Sequence, residues 1–155
     1  LGPLERIDDQ VALEQPRAGP ARKGRLLLIG RRHLLSNNSW MHNAPRLMKT
    51  GDRCTALLHP RDAEQHGISD GQYITVRSER GAIELRAELT EDIRPGVISI
   101  PHGWGHACTD TRLQTANRHP GANVNALTDE RVVDEMTGNA VFNGVPVWIE
   151  GNRNS

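Results

Sequence analysis

Two short polar runs hold most of the chemistry-bearing residues of this 155-residue chain: Ser36-Asn37-Asn38-Ser39-Trp40-Met41-His42-Asn43 and Pro101-His102-Gly103-Trp104-Gly105-His106. Each gathers hydrogen-bonding side chains around a tryptophan, in a chain with three Trp, one Tyr and one Phe. Folding alone has little use for such runs. A large polar ligand does, because it needs many hydrogen bonds at fixed positions. A third run, Gly121-Ala122-Asn123-Val124-Asn125-Ala126-Leu127-Thr128, is followed by Asp134 and Thr137-Gly138-Asn139. Asparagine offers a donor pair and an acceptor, which suits the amide and amine edges of a heterocycle. Three such runs, each next to a strand end, point to one shared ligand surface.

Other chemistries fit less well. His102 and His106 are four apart, and on a helix they would share a face as metal ligands. Pro101, Gly103 and Gly105 argue against a helix there, and no acidic base lies between the histidines. Glycines flanking Trp104 better suit the close approach of backbone to a flat ligand. A metallo-hydrolase built on His102, His106 and Cys108 is the weakest of the readings. Cys54 and Cys108 are far apart with no Cys-x-x-Cys, which excludes an iron–sulfur or zinc-ribbon framework within the chain. They read as two free thiols, Cys54 in the core, and neither has an evident nucleophile's partners. His33, His59, His66 and His119 carry no metal-ligand spacing, and neither a dinucleotide fingerprint nor a phosphate-loop lysine motif occurs.

These runs must be held by the elements around them. Residues 1–24, with Pro3, Pro16, Gly19, Pro20 and Gly24, read as a linker or tail. Order begins at Arg25-Leu26-Leu27-Leu28-Ile29, an apolar run bounded by glycines that reads as a buried strand. A polar loop follows, and Ala44 to Lys49 are expected to form a short helix. Thr55 to Leu58 reads as a strand and Pro60 to Gly67 as a short helix, with Pro near its start and Gly just past its end. Gln72 to Ser78 and Ala82 to Leu89 alternate apolar and polar residues around Arg80-Gly81, as a hairpin does. Val97 to Ile100 is a strand that delivers the second polar run. Residues 107–123 read as a loop, Gly144 to Ile149 as the last strand, and 151–155 as a tail. The sum is a mainly β fold with short helices, and it favours a compact β-barrel over a doubly wound sheet.

Lys plus Arg equals Asp plus Glu, so net charge indicates neither a nucleic-acid nor a membrane partner. The longest clean apolar run, Leu26 to Ile29, is far short of the ~20 residues of a membrane span. The start carries no secretory pattern and no Met, so the chain reads as a processed or excised piece, with a cytoplasmic location expected.

Taken in order, Leu28-Ile29-Gly30-Arg31-Arg32-His33, residues 36–43, the stretch from His59-Pro60-Arg61-Asp62-Ala63 to Asp70-Gly71, residues 101–106, Asn125-Ala126-Leu127-Thr128 and Phe142-Asn143-Gly144 resemble the C-terminal, molybdopterin-dinucleotide-binding domain of the dimethyl sulfoxide reductase family. Formate dehydrogenases and nitrate reductases belong to that family. The resemblance covers residues 25–150. It implies a double-psi β-barrel and a bis(molybdopterin guanine dinucleotide) cofactor carrying molybdenum or tungsten. The cofactor would be shared with N-terminal domains of a larger oxidoreductase chain, the domain's main partner. By the same resemblance, Arg31, Arg32 and His33 with Asn38, Ser39 and His42 form the first cofactor-contacting loop. His102, Gly103 and Trp104 form the second, and Asn125 is an amide that bridges pterin groups. Asn143 stands where nitrate-reductase-like members often have Lys, which leaves it a hydrogen bond but no charge. The metal-ligand region of the family has no counterpart here, so the chain is expected to be inert alone. A stand-alone double-psi barrel serving as an interaction module is the alternative. Convergence or dispersal of the polar loops discriminates the two.

Overall fold

The computed structural model describes residues 24–49, 52–107 and 110–152. The expected linker up to residue 23, Cys108 and the last three residues of the expected tail lie outside the described residues. Strands Leu26–Arg31 (β1), Thr55–Leu58 (β2), Tyr73–Arg77 (β3), Ala82–Leu89 (β4), Val97–Pro101 (β5) and Val145–Gly151 (β6) close into a barrel in the order β1-β5-β2-β4-β3-β6. β1 runs parallel to β5 and β2 parallel to β4, and the other four pairings are antiparallel. Parallel neighbours need long crossovers, so the segments between strands arch over the barrel ends instead of turning tightly. Two interleaved parallel pairs in a closed six-stranded barrel are the expected double-psi arrangement.

Side-chain alternation explains why these segments pair as they do. In β4, Ile83, Leu85 and Ala87 point inward while Glu84, Arg86 and Glu88 face out. Leu28, Leu58, Ile74, Ile98, Ile100 and Val147 are fully buried and fill the barrel. β1 runs two residues past its apolar stretch, because Gly30 and Arg31 pair with Ile100 and Pro101 of β5. β6 runs on to Gly151, and the Asn152 amide donates to the Tyr73 carbonyl at 3.0 Å. The barrel therefore extends past the boundary at residue 150 read from the sequence.

Helix Pro60–His66 (α1) forms where its signals place it. The His59 imidazole accepts from the Arg61 amide at 3.1 Å, Pro60 opens the first turn, and Gly67 ends it. Asp62, buried on its inner face, accepts from the Gly96 amide at 2.7 Å and so pins the turn that starts β5. Two expectations need correction. Residues 44–49 form turns, not a helix: the Ala44 carbonyl takes both the Leu47 and Met48 amides, and the coil goes no further. The stretch 107–123, expected as loop, contains helix Gln114–Arg118 (α2). No helix among the described residues is long and apolar enough to cross a membrane.

Candidate functional site

The first polar run lies in the crossover between β1 and β2, and the second leaves the end of β5 directly. Because β1 and β5 are parallel neighbours, both runs emerge from the same barrel end. The His102 amide continues the ladder by donating to the Arg31 carbonyl at 3.2 Å. Beyond that point side chains take over. The Asn38 amide oxygen lies 2.8 Å from His102 Nε2, and His42 Nδ1 lies 2.7 Å from His106 Nε2. The His42 ring rests on the Trp104 indole with centroids 4.0 Å apart. Asn37 and Asn38 both take positive φ, 43° and 61°, which asparagine tolerates better than most residues and which brings the Asn38 carbonyl against Gly103. Gly103 itself has φ of 86°, and a Cβ there would lie 2.7 Å from the Asn38 carbonyl carbon. Any side chain at 103 would push the two loops apart.

The third run joins the same cluster. The Gly105 and His106 amides both donate to the Pro120 carbonyl, at 2.8 and 2.9 Å, and Gly105 packs against Asn123. Asn123 then caps the 3-10 turn Val124–Leu127 by accepting from the Asn125 amide at 3.1 Å. Asn43, at the end of the first run, accepts from the Thr115 amide at 3.0 Å and supplies the N-terminal cap that α2 lacks locally. The three polar runs therefore converge.

Electrostatics divides the site into a buried brace and an open rim. His42 is fully buried; burial, then the neighbouring His106 and Arg53, push its imidazole down to about 4, while the Gly103 carbonyl pulls the other way. Burial also lowers His106. Both rings are thus neutral at pH 7, so one donates and the other accepts across the 2.7 Å contact. His42 Nε2, Trp104 Nε1 and Ser36 Oγ are buried without a hydrogen-bond partner among the described residues. Such orphans are rare in a finished site and suit one completed by a polar ligand or ordered water.

The sequence-predicted residues fall into three groups. Asn38, Ser39, His42, His102, Gly103 and Trp104 come together, and Asn125, two residues beyond the Asn123 that packs on Gly105, has its side-chain amide exposed and unbonded among the described residues. Arg32 is likewise exposed, with no hydrogen bond or ion pair among the described residues, whereas His33 Nδ1 lies 3.4 Å from Arg53. Arg31 and Asn143 have internal partners. The Arg31 guanidinium turns into the barrel end and donates to the Ser99 carbonyl at 2.8 Å and to the Thr55 carbonyl and hydroxyl at 3.0 Å. Asn143 accepts from the Gly30 amide at 2.8 Å and ties the entry of β6 to β1. His106 was singled out in the sequence only as a possible metal ligand, and its partnership with His42 spans 64 residues with no spacing signal to reveal it. No group of three or more His, Cys, Asp or Glu among the described residues could hold a metal. His102 and His106 instead bond to separate partners in the first run.

The open rim suits an anionic, heterocyclic ligand. Between the end of β1 and Gly51 the chain has Arg32, Arg46 and Lys49 and no acid. A free guanidinium can grip phosphate oxygens in bidentate fashion, and exposed amides can pair with a heterocycle edge. A cleft of about 350 Å³, lined by Tyr73, Glu84, Arg86, Arg118 and His119 and bordered by Gly121 and Ala122 at the start of the third run, contains none of the side chains assigned to the cofactor from the sequence.

A model of the molydopterin dinucleotide binding domain matches residues 26–146. The chain belongs to that family. The match spans all three polar runs and five of the six strands entire. Among curated relatives, the chain is similar to a protein of Halobacterium salinarum described as the catalytic chain of a dimethyl sulfoxide reductase, 31% identical over 63% of this chain and 13% of that protein. It is also similar to the oxidoreductase YoaE of Bacillus subtilis, 33% identical over 73% of this chain and 15% of the relative. This molybdopterin-binding chain thus spans about a seventh of the length of the relatives it matches. Its fold is shared with a solved structure, acetylene hydratase from Pelobacter acetylenicus, with a TM-score of 0.64 and 22% identity over 82% of this chain and 18% of that one.

Proposed function

We propose that this molybdopterin-binding barrel caps a bis(molybdopterin guanine dinucleotide) in a larger molybdenum or tungsten oxidoreductase, formate-dehydrogenase-like or nitrate-reductase-like in its substrate class. The observation that carries the reading is the convergence of three polar runs on one barrel end, the first of them in a stretch between β1 and Gly51 that holds Arg32, Arg46 and Lys49 and no acid. When bound, the cofactor supplies the metal and pterin redox chemistry, and the protein supplies binding, orientation and electrostatics. Arg32 is the residue free to meet a phosphate. Ser39, His102 and Asn125 present hydrogen-bonding groups to heterocycle edges. The His42–His106 pair, with the His42 ring on Trp104, braces the loops from behind. The substrate class rests on the residue types of the first two runs. Dispersal of the loops would have favoured an interaction module, and they are not dispersed.

The test is Arg32→Ala in the full enzyme. Molybdenum or tungsten content and releasable guanine nucleotide fall together, while the unfolding midpoint stays within the small range of a surface substitution. Unchanged metal and nucleotide content would remove Arg32 from the proposed site.

A further inference from the structure

Between the 3-10 turn and β6 the chain leaves the barrel as a finger. Residues 130–140 are all exposed, and the strands of the finger share a single isolated bridge, Val133 to Ala140. A two-stranded unit of this kind gains little stability from its own burial. Polar bonds fix its shape instead. The Val141 amide donates to the Val132 carbonyl at 2.9 Å, the Asp134 amide to Asn139 at 2.8 Å, and the Gly138 amide to Asp134 at 2.7 Å. The Asp134 carboxylate accepts from the Thr137 amide and hydroxyl at 2.8 and 2.9 Å. At the base, Arg131 grips Asp129, and Arg80 from the β3–β4 turn reaches Glu130 at 3.0 Å. The effect of all these bonds is to hold Met136 out at the tip, 93% exposed, with Val132 and Val133 half-exposed behind it.

A built turn that presents apolar side chains to water is the signature of a contact surface. Its charge narrows the partner. Asp134 and Glu135 directly precede Met136, and neither forms an ion pair among the described residues. Its position narrows it further. The finger returns to the barrel through Phe142, which packs on Gly30 and lies edge-on to His102 with centroids 6.1 Å apart. The finger therefore rises from the rim of the candidate cofactor site. The Halobacterium and Bacillus relatives are several times longer than the stretch they share with this chain.

Resting on the cofactor-capping reading, we propose that residues 130–141 form a docking plug. Met136 seats in an apolar socket with a basic rim. The socket lies on the part of the parent polypeptide that encloses the same cofactor.

The experiment uses the full-length parent enzyme at a concentration where it is monomeric. Hydrogen peroxide converts exposed methionines to sulfoxide, and peptide mass spectrometry gives the Met136 rate in native and in urea-unfolded enzyme. The plug predicts a native rate slower by about tenfold or more, since thioether oxidation follows access. Native and unfolded rates within about twofold would show the tip standing in water and overturn the proposal. Protection that appears only at concentrations where the enzyme self-associates would identify a second copy as the occupant and overturn the intramolecular socket. Glu135→Lys, an exposed change that leaves the Asp134–Thr137 turn intact, raises the Met136 rate severalfold if the rim is basic; an unchanged rate overturns that charge assignment. Metal and guanine content are read on the same sample. Full cofactor with an unprotected Met136 refutes the plug alone, and a protected Met136 without cofactor refutes the capping reading alone.

Discussion

Replacing His42 by Phe separates the packing of the loop brace from its titration. Phe keeps a ring on the Trp104 indole and removes the bond to His106, together with the unpartnered Nε2. These effects oppose each other, so stability at pH 7 changes by about 1 kcal/mol or less. Acid is where the variants part. In the unfolded chain His42 takes up a proton near its ordinary value of about 6.5, but in the folded protein only near 4. As pH falls through that window the unfolded state binds the proton first, and the folded state loses stability. Linkage gives about 2 kcal/mol lost by pH 5, or nearer 1 once relaxation around the charged ring softens the burial penalty that dominates the shift. His42→Phe has no such loss. Urea unfolding at pH 7 and at pH 5 checks it, because the remaining groups titrate in both proteins and largely cancel in the difference. The wild type should weaken more than the variant by about 1 to 2 kcal/mol over that interval. Equal pH dependence would refute the buried, neutral His42.

Other substitutions report on other parts of the site. Gly103→Ala forces a side chain into positive φ and against the Asn38 backbone, and should cost about 2 kcal/mol or more in urea unfolding; a change under about 0.5 kcal/mol would mean the loops are not in contact there. Arg31→Ala strips partners from Thr55 and Ser99 and removes a positive charge near Glu88, and should cost about 1 to 3 kcal/mol, in contrast to the near-neutral Arg32→Ala. The same melts, run side by side, distinguish these two neighbours. Asn125→Ala in the full enzyme should lower cofactor retention on gel filtration without shifting the unfolding midpoint. Equal retention would make Asn125 a residue of the turn alone.

Much of the barrel was legible because its signals are local. β2 and β4 lie where the apolar runs and alternation place them, and α1 has its proline, its cap and its terminal glycine close together in sequence. What escaped depends on distant partners. α2 has no capping side chain of its own at Leu113, and Asn43, 72 residues away from Thr115, supplies it. Arg31 and Arg32 look alike as phosphate grips. Thr55 and Ser99, which only the strand pairing brings near, draw Arg31 inward. The converging loops were suggested by composition alone, whereas the His42–His106 bond that braces them follows no sequence period. Residues 44–49 show the reverse case, where helix-forming residues sit in a crossover that needs them in turns to reach β2.

The central claim is that the three polar runs form one binding face for the dinucleotide. An amide-shift titration of this chain with a guanine nucleotide and a pterin analogue tests it most directly. Shifts confined to residues 32–43, 101–106 and 123–125 are the expected result. Shifts centred instead on Tyr73, Arg86 and Arg118, with those three runs silent, would contradict it.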